Sequence, residues 1–252
     1  MDAKYSSAND DAPPLLLLPG LMCDSRIFDR QLRTIAGAMA AADYGDADTL
    51  GAMAERVIAA APTRFALLGH SMGARVALEV MRRVPDRVDR LALVSTGIHP
   101  AAVGEAAKRH ALRDIGRRDG MAALVDTWLP PMVAAARRDD AALMGALRAM
   151  CIDAGLARFE AQIAALLDRP DVSDLLPGIA CPVLVATGSA DQWSPPEQHR
   201  TIAAAIPGAE LIIVEGAGHM LPAEVPYRLN IAIRAWLARP AGRATFTQGE
   251  AK

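Results

Sequence analysis

The chain has 252 residues, 52% of them hydrophobic and 22% charged, a length and composition that one α/β domain can hold without disulfides or a structural metal. A net charge of −2 and 4% aromatic residues exclude a basic, base-stacking surface for nucleic acid. No run approaches the ~18 apolar residues of a membrane span, and the opening Met1-Asp2-Ala3-Lys4 lacks the basic-then-apolar layout of a secretory leader. Cys23, Cys151 and Cys181 are odd in number and widely spread, which fits neither a disulfide framework nor metal-ligand spacing. The expectation is a cytoplasmic protein with no metal and no organic cofactor. Its partner is a small-molecule substrate, not nucleic acid or membrane, and its oligomeric state is left open.

In chain order, residues 1–13 are polar and read as a disordered tail. Leu15–Leu18 reads as a buried strand closed by Pro19-Gly20, and Gly37–Ala42 as a weak one. A helix is expected over Thr49–Ala61, a strand over Arg64–Leu68, a helix over Met72–Val84 and a strand over Leu91–Val94. Residues 101–176 then show no strand. Helical segments at Val103–Arg117, Met121–Trp128, Asp140–Cys151 and Leu156–Leu167 are separated by Gly120, Pro130-Pro131, Gly155 and Pro170. The alternation resumes with strand Val183–Ala186, helix Pro196–Ile206, strand Leu211–Val214 and helix Ala223–Leu237, and 239–252 reads as a second tail. Strands alternating with helices imply an α/β fold, a mostly parallel sheet covered by helices on both faces. The core takes residues 14–100 and 177–238, and the all-helical insertion 101–176 forms a cap over the carboxyl edge of the sheet.

Gly69-His70-Ser71-Met72-Gly73 fits G-x-S-x-G between a strand and a helix. That context puts a serine on a sharp, strained turn with its hydroxyl exposed, the glycines letting neighbouring backbone come close. Ser71 is the candidate nucleophile; the alternative is a chance match in a chain rich in glycine and alanine. His219, in Gly216-Ala217-Gly218-His219 after the last strand, is the candidate base, since histidine titrates near neutrality. Asp191, in Gly188-Ser189-Ala190-Asp191 after the preceding strand, is the candidate acid that orients the imidazole; the alternative is a polar turn residue. A tetrahedral intermediate needs two backbone donors, for which the N–H groups of Met72 and of Leu21, in Pro19-Gly20-Leu21, are the candidates. Of the remaining histidines, His99 follows a strand and is placed to line a pocket, whereas His110 and His199 read as solvated and His70 as the variable position of the turn.

The order Ser71, Asp191, His219 is that of the α/β-hydrolase fold. The chain resembles the small, single-domain, capped members of that superfamily from about Leu15 to Leu237. The resemblance rests on Pro19–Asp24, Gly69–Gly73, Ile179–Val185, Ile206–Ala209, Gly216–His219 and Glu224-Val225-Pro226. It differs in having Pro19-Gly20 where relatives have His-Gly, a shortened acidic segment at Ala41–Asp48, and reduced N-terminal strands. His70 replaces the Asn found before the serine in carbon–carbon hydrolases. A Ser nucleophile, not Asp, argues against dehalogenases and epoxide hydrolases. The resemblance implies a serine hydrolase cleaving a small neutral ester, thioester or lactone through an acyl-enzyme. The alternatives are an acyltransferase or cofactor-free haloperoxidase with the same triad, or a non-catalytic binding protein. Met22, Trp193 and Met220 beside the catalytic positions, with Trp128, Met132 and Met150 from the cap, are expected to form an apolar substrate collar. No arginine beside the catalytic loops is expected to clamp a substrate carboxylate; Arg26 and Arg75 are the nearest in sequence, and Arg75 sits on the helix after Ser71.

Overall fold

The computed structural model describes residues 13–240, so the two expected tails fall almost wholly outside the described residues. The apolar run Leu15–Leu18 is strand β1, buried along its whole length. A short helix α1, Asp29–Thr34, and strand β2, Ala38–Ala40, follow. Helix α2, Leu50–Ala60, begins where the Thr49 side chain accepts from the Ala52 N–H, satisfying one of the free donors of the first turn. Strand β3, Phe65–His70, runs directly into helix α3, Met72–Arg83, and strand β4 spans Val88–Val94. The insertion carries α4, Glu105–Trp128, α5, Ala141–Asp153, and α6, Leu156–Leu167. The chain closes with β5, Val183–Gly188, α7, Pro196–Ala205, β6, Glu210–Val214, α8, Leu221–Glu224, and α9, Pro226–Leu237.

All six strands pair in parallel in the order β2-β1-β3-β4-β5-β6. Strands β1, β3 and β5 are buried throughout, because helices cover both faces of a parallel sheet and each interior strand must be apolar on both. Edge strand β2 is three residues long and largely exposed, a length that offers little to another chain's sheet. The chain passes from β1 outward to β2 and then returns to the other side of β1 to form β3. Connections therefore diverge between β1 and β3, the point where an open α/β sheet forms a crevice at its carboxyl end. The loops holding Leu21 and Ser71 leave the sheet there.

Three expectations are corrected. The segments expected at Val103–Arg117 and Met121–Trp128 form one bent run, α4, with Gly120 at φ 87°, ψ 169° as its kink. The helix expected over Ala223–Leu237 is two, α8 and α9. They are separated at Val225 (φ −136°, ψ 54°), because a residue before proline is kept out of the helical region. Strand β4 starts three residues earlier than its apolar run, with Asp89 buried and ion-paired to Arg64. Helix α1 has only six residues, too few to show a hydrophobic period.

The β3–α3 junction tolerates no extra atoms. A Cβ on Gly73 would lie 2.2 Å from the Leu18 carbonyl oxygen, and one on Gly69 would lie 2.3 Å from the Ala74 Cα. Both obstacles are backbone, so the sheet itself would have to move. Gly73→Ala is therefore expected to lower stability by at least ~2 kcal/mol, within the range for overpacking a core. Urea denaturation checks this; an unshifted midpoint contradicts the packing described.

Candidate active site

Ser71 sits at φ 55°, ψ −117° between β3 and α3, a left-handed conformation that side-chain-bearing residues adopt only when their surroundings impose it. Those surroundings include a bond from the Ser71 N–H to the Val94 carbonyl at 2.8 Å and one from Thr96 Oγ1 to the Ser71 carbonyl at 3.0 Å. The turn presents the side chain to His219, whose Nε2 lies 2.9 Å from Ser71 Oγ. His219 Nδ1 lies 2.9 and 3.1 Å from the two Asp191 carboxylate oxygens. With a carboxylate there, Nδ1 must carry the proton, leaving Nε2 free to accept from the serine hydroxyl. Asp191 also accepts from the N–H groups of Trp193 at 3.0 Å and Ser194 at 2.8 Å. Burial pushes this carboxyl up, but adjacent His219 and the Ser194 N–H hold it below its ordinary value. The structure thus brings the three predicted residues, from β3, β5 and β6, into one hydrogen-bonded line.

The loop after β1 lies against the serine: a Cβ on Gly20 would stand 3.0 Å from Ser71 Cβ. Leu21 lines the cavity above Ser71. Met72 opens α3, so its N–H has no acceptor one turn back. The loop is held by Met22, at φ 56°, whose N–H donates to Gln162 Oε1 on α6 at 2.9 Å.

Sequence reasoning missed the groups that hold the histidine loop. Glu224, on α8 and buried, accepts from the N–H groups of Gly218 and Met220, either side of His219, and from that of Ala134 in the cap, each at 3.0 Å. The Met132 carbonyl accepts from the His219 N–H at 2.9 Å. His70 Nε2 donates to the His219 carbonyl at 2.8 Å; burial, with His219 next to it, lowers its imidazole to about 3. The one signal was Glu224-Val225-Pro226, visible only as part of a resemblance. His199 is corrected from solvated to fully buried. Its Nε2 accepts from the Thr96 N–H at 2.9 Å and its Nδ1 donates to the Pro195 carbonyl at 3.2 Å.

A cavity of about 290 Å³ opens over Ser71 and His219. Trp193, Trp128 and Met132 line it as expected, and so does His99. Met22, Met220 and Met150 do not: each is at most 1% exposed and packs inside the core. The expected apolar, methionine-rich collar is therefore corrected, and so is the absence of arginine from the substrate pocket. Arg75, Arg109, Arg169 and Lys108 line the same cavity, with Glu105 among them. Lys108, Arg109 and Arg169 come from the segment 101–176, far in sequence from the catalytic loops, whereas Arg75 is near in sequence, on the helix after Ser71, and faces the cavity. Glu105 binds both Arg109, at 2.7 Å, and Arg169, at 2.6 Å. Burial opposes its charge, but these two guanidiniums bring its carboxyl down to about 2.

A serine on a strand-to-helix turn, an acid after the next-but-one strand and a histidine after the last, at the carboxyl edge of a parallel sheet, is the arrangement of a hydrolase fold. Residues 15–230 match the model of the alpha/beta hydrolase family, and the chain belongs to that family. It is 27% identical over 217 residues, 81% of this chain and 78% of the other, to a Klebsiella pneumoniae protein provisionally named as the carbamate hydrolase RutD. Among solved structures it is similar to a thermophilic esterase from Thermogutta terrifontis, determined with malate bound. That likeness has a TM-score of 0.82 at 28% identity and covers 89% of each chain. The enol-lactonase of Burkholderia xenovorans LB400 shares the fold, with a TM-score of 0.79 at 22% identity over 91% of this chain and 92% of that one. The protein is a hydrolase. No helix among the described residues is long and apolar enough to cross a membrane.

The buried histidines set an acid limit on stability. Burial lowers His199 from 6.5 to about 4, so the unfolded chain takes up its proton first as pH falls. Stability is expected to be fully present above pH 6.5 and lost as pH falls toward 4, on the order of 3 kcal/mol from His199. Melting temperatures across that window check this. His199→Gln, which can still accept from Thr96, is expected to flatten the slope; an equal slope in both proteins contradicts it.

Proposed function

We propose that the protein is a serine hydrolase that cleaves a small carboxylic ester, thioester or lactone through an acyl-enzyme on Ser71. The observation that carries this reading is the unbroken line from Ser71 Oγ through His219 to Asp191, with 2.9 Å at each junction. As Oγ attacks the carbonyl carbon, His219 Nε2 takes its proton, and Asp191 stabilises the imidazolium that forms. The developing oxyanion is received by the N–H groups of Leu21 and Met72, next to the positive end of α3. His219 then hands its proton to the departing alcohol or thiol. In the second half, a water attacks the acyl carbonyl as His219 takes its proton, and His219 returns that proton to Ser71 Oγ as the ester bond to the serine breaks, releasing the acid product. The esterase and lactonase names of its structural neighbours support an acyl carbonyl as the reacting centre.

A fluorophosphonate probe is expected to label wild-type protein at Ser71 and to leave Ser71→Ala unlabelled, read by peptide mass spectrometry. Labelling at a different serine removes the assignment. Asp191→Asn is expected to keep the fold and lower kcat by up to about 10⁴-fold, through loss of the correct imidazole tautomer. A kcat within threefold of wild type, in a variant with unchanged circular dichroism, makes Asp191 a turn residue only.

A further inference from the structure

The cavity over Ser71 carries more positive charge than its own carboxylate can neutralise. Arg75, Arg109 and Arg169 face a single acid, Glu105. Both oxygens of Glu105 are taken: Oε1 by Arg109 and Arg169, and Oε2 by Arg169. Arg169 also donates to the carbonyls of His99, at 3.1 Å, and Pro100, at 3.2 Å. These two arginines are thereby tied to Glu105, and Arg169 to the loop after β4 as well. Arg75 is different. It has one hydrogen bond, from Nη1 to the His99 carbonyl at 3.1 Å. Among the described residues no carboxylate lies within ion-pair distance of it. Yet it is 8% exposed. Burial, with Arg169 nearby, lowers its guanidinium to about 9. A buried cation without a counter-ion is costly, and most of its five donors are unspent.

Its position brings this unspent charge to the reacting centre. Arg75 lies in the first turn of α3, the helix that begins directly after Ser71. Both line the same cavity. A planar guanidinium recognises a carboxylate through two parallel bonds. Trp128, Met132 and Leu166 supply apolar wall around it, where water competes less for the charge. Lys108, exposed on α4, lines the same cavity and adds a further positive charge.

We propose that Arg75 is the anchor for a carboxylate on the substrate, so that the hydrolysed ester, thioester or lactone carries an acid group a few carbon atoms from the scissile carbonyl. The proposal deepens the serine-hydrolase reading and rests on it for the reaction, but not for the anion site itself. The shared cavity of about 290 Å³ admits only a small substrate of this kind. This reverses the neutral substrate expected from sequence. Arg75 acts on specificity, not on the chemical step, so its loss should appear in the ratio between charged and neutral substrates.

Two measurements test this. The first compares kcat/KM for ethyl pentanoate, for monoethyl glutarate, which has its acid on the acyl side, and for butyryloxyacetate, which has it on the alcohol side. Wild-type protein is expected to favour at least one carboxylated ester tenfold or more, about 1.4 kcal/mol, and the favoured arm tells which side the anchor holds. Arg75→Gln is expected to lower that ratio tenfold or more, Arg75→Lys to lower it less, and Arg33→Gln, an exposed control, to keep it. The second titrates glutarate and neutral glutaramide into wild type and Arg75→Gln by calorimetry, with Arg75→Lys in its place if the Gln variant does not fold. Glutarate is expected to bind wild type at least tenfold tighter than the variant, and glutaramide to show no such difference. Neutral ester hydrolysed as fast as both acids overturns the anchor and leaves the hydrolase reading standing. Absence of any ester turnover removes the hydrolase reading, and the glutarate titration then decides the anchor alone: equal binding to wild type and variant overturns it.

Discussion

The site depends on a single turn of backbone. Ser71 is held at positive φ because β3 delivers it from a fully buried strand and α3 departs at once beneath the loop after β1. That geometry requires the chain to pass within van der Waals distance of Leu18 and Ala74, where no side chain fits at positions 73 and 69. The strain at Ser71 is sustained by burial on all sides: α3 is buried from Met72 to Met81, and β3 is central in the sheet. Everything chemical follows from this placement. The hydroxyl stands at the carboxyl end of the sheet, the helix dipole points at it, and the crevice between β1 and β3 lies above it.

The histidine is controlled from two directions. Asp191 holds its ring, while Glu224, Met132 and His70 hold its backbone and that of its neighbours. Two of these bonds reach the cap: Met132 lies in the turn after α4, and Glu224 joins the His219 loop to Ala134. The helical insertion is therefore tied directly to the histidine loop. The turns after α4, at Met132 and Ala134, are hydrogen-bonded into the loop that carries His219, so the position of the imidazole and the shape of the cavity are set by the same packing. Interactions of this kind, made by buried carboxylates and carbonyls to backbone N–H groups, are strong because they are dry.

The core strands and the three aligned side chains were legible in sequence for a physical reason. Buried parallel strands are continuous apolar runs, and the strand–Gly-x-Ser-x-Gly–helix pattern is a steric requirement written in residue types. What escaped was whatever depends on tertiary proximity. Glu224 looks like any helix-start acid until its three backbone donors are seen, and His199 looks like a surface residue of a short helix although it is buried against Thr96. Nearness in sequence to Leu21 and His219 points to Met22 and Met220 as pocket residues. Met22 and Met220 instead point into the core, since residues adjacent along a chain need not share a face. The cap was the least patterned stretch, and it supplies Arg109, Arg169, Glu105 and Lys108 to the cavity. A polar lining assembled from one bent helix and one loop leaves no period to read.

Covalent catalysis at Ser71 is the centre of the proposed function. The most direct measurement is acid quenching of wild-type protein during turnover of a slowly deacylating ester, followed by digestion and peptide mass spectrometry. The peptide containing Ser71 is expected to gain the mass of the acyl group, in step with a burst of alcohol release stoichiometric with enzyme. Rapid hydrolysis of the ester with no acylated peptide, or with the acyl group on a different residue, would contradict this.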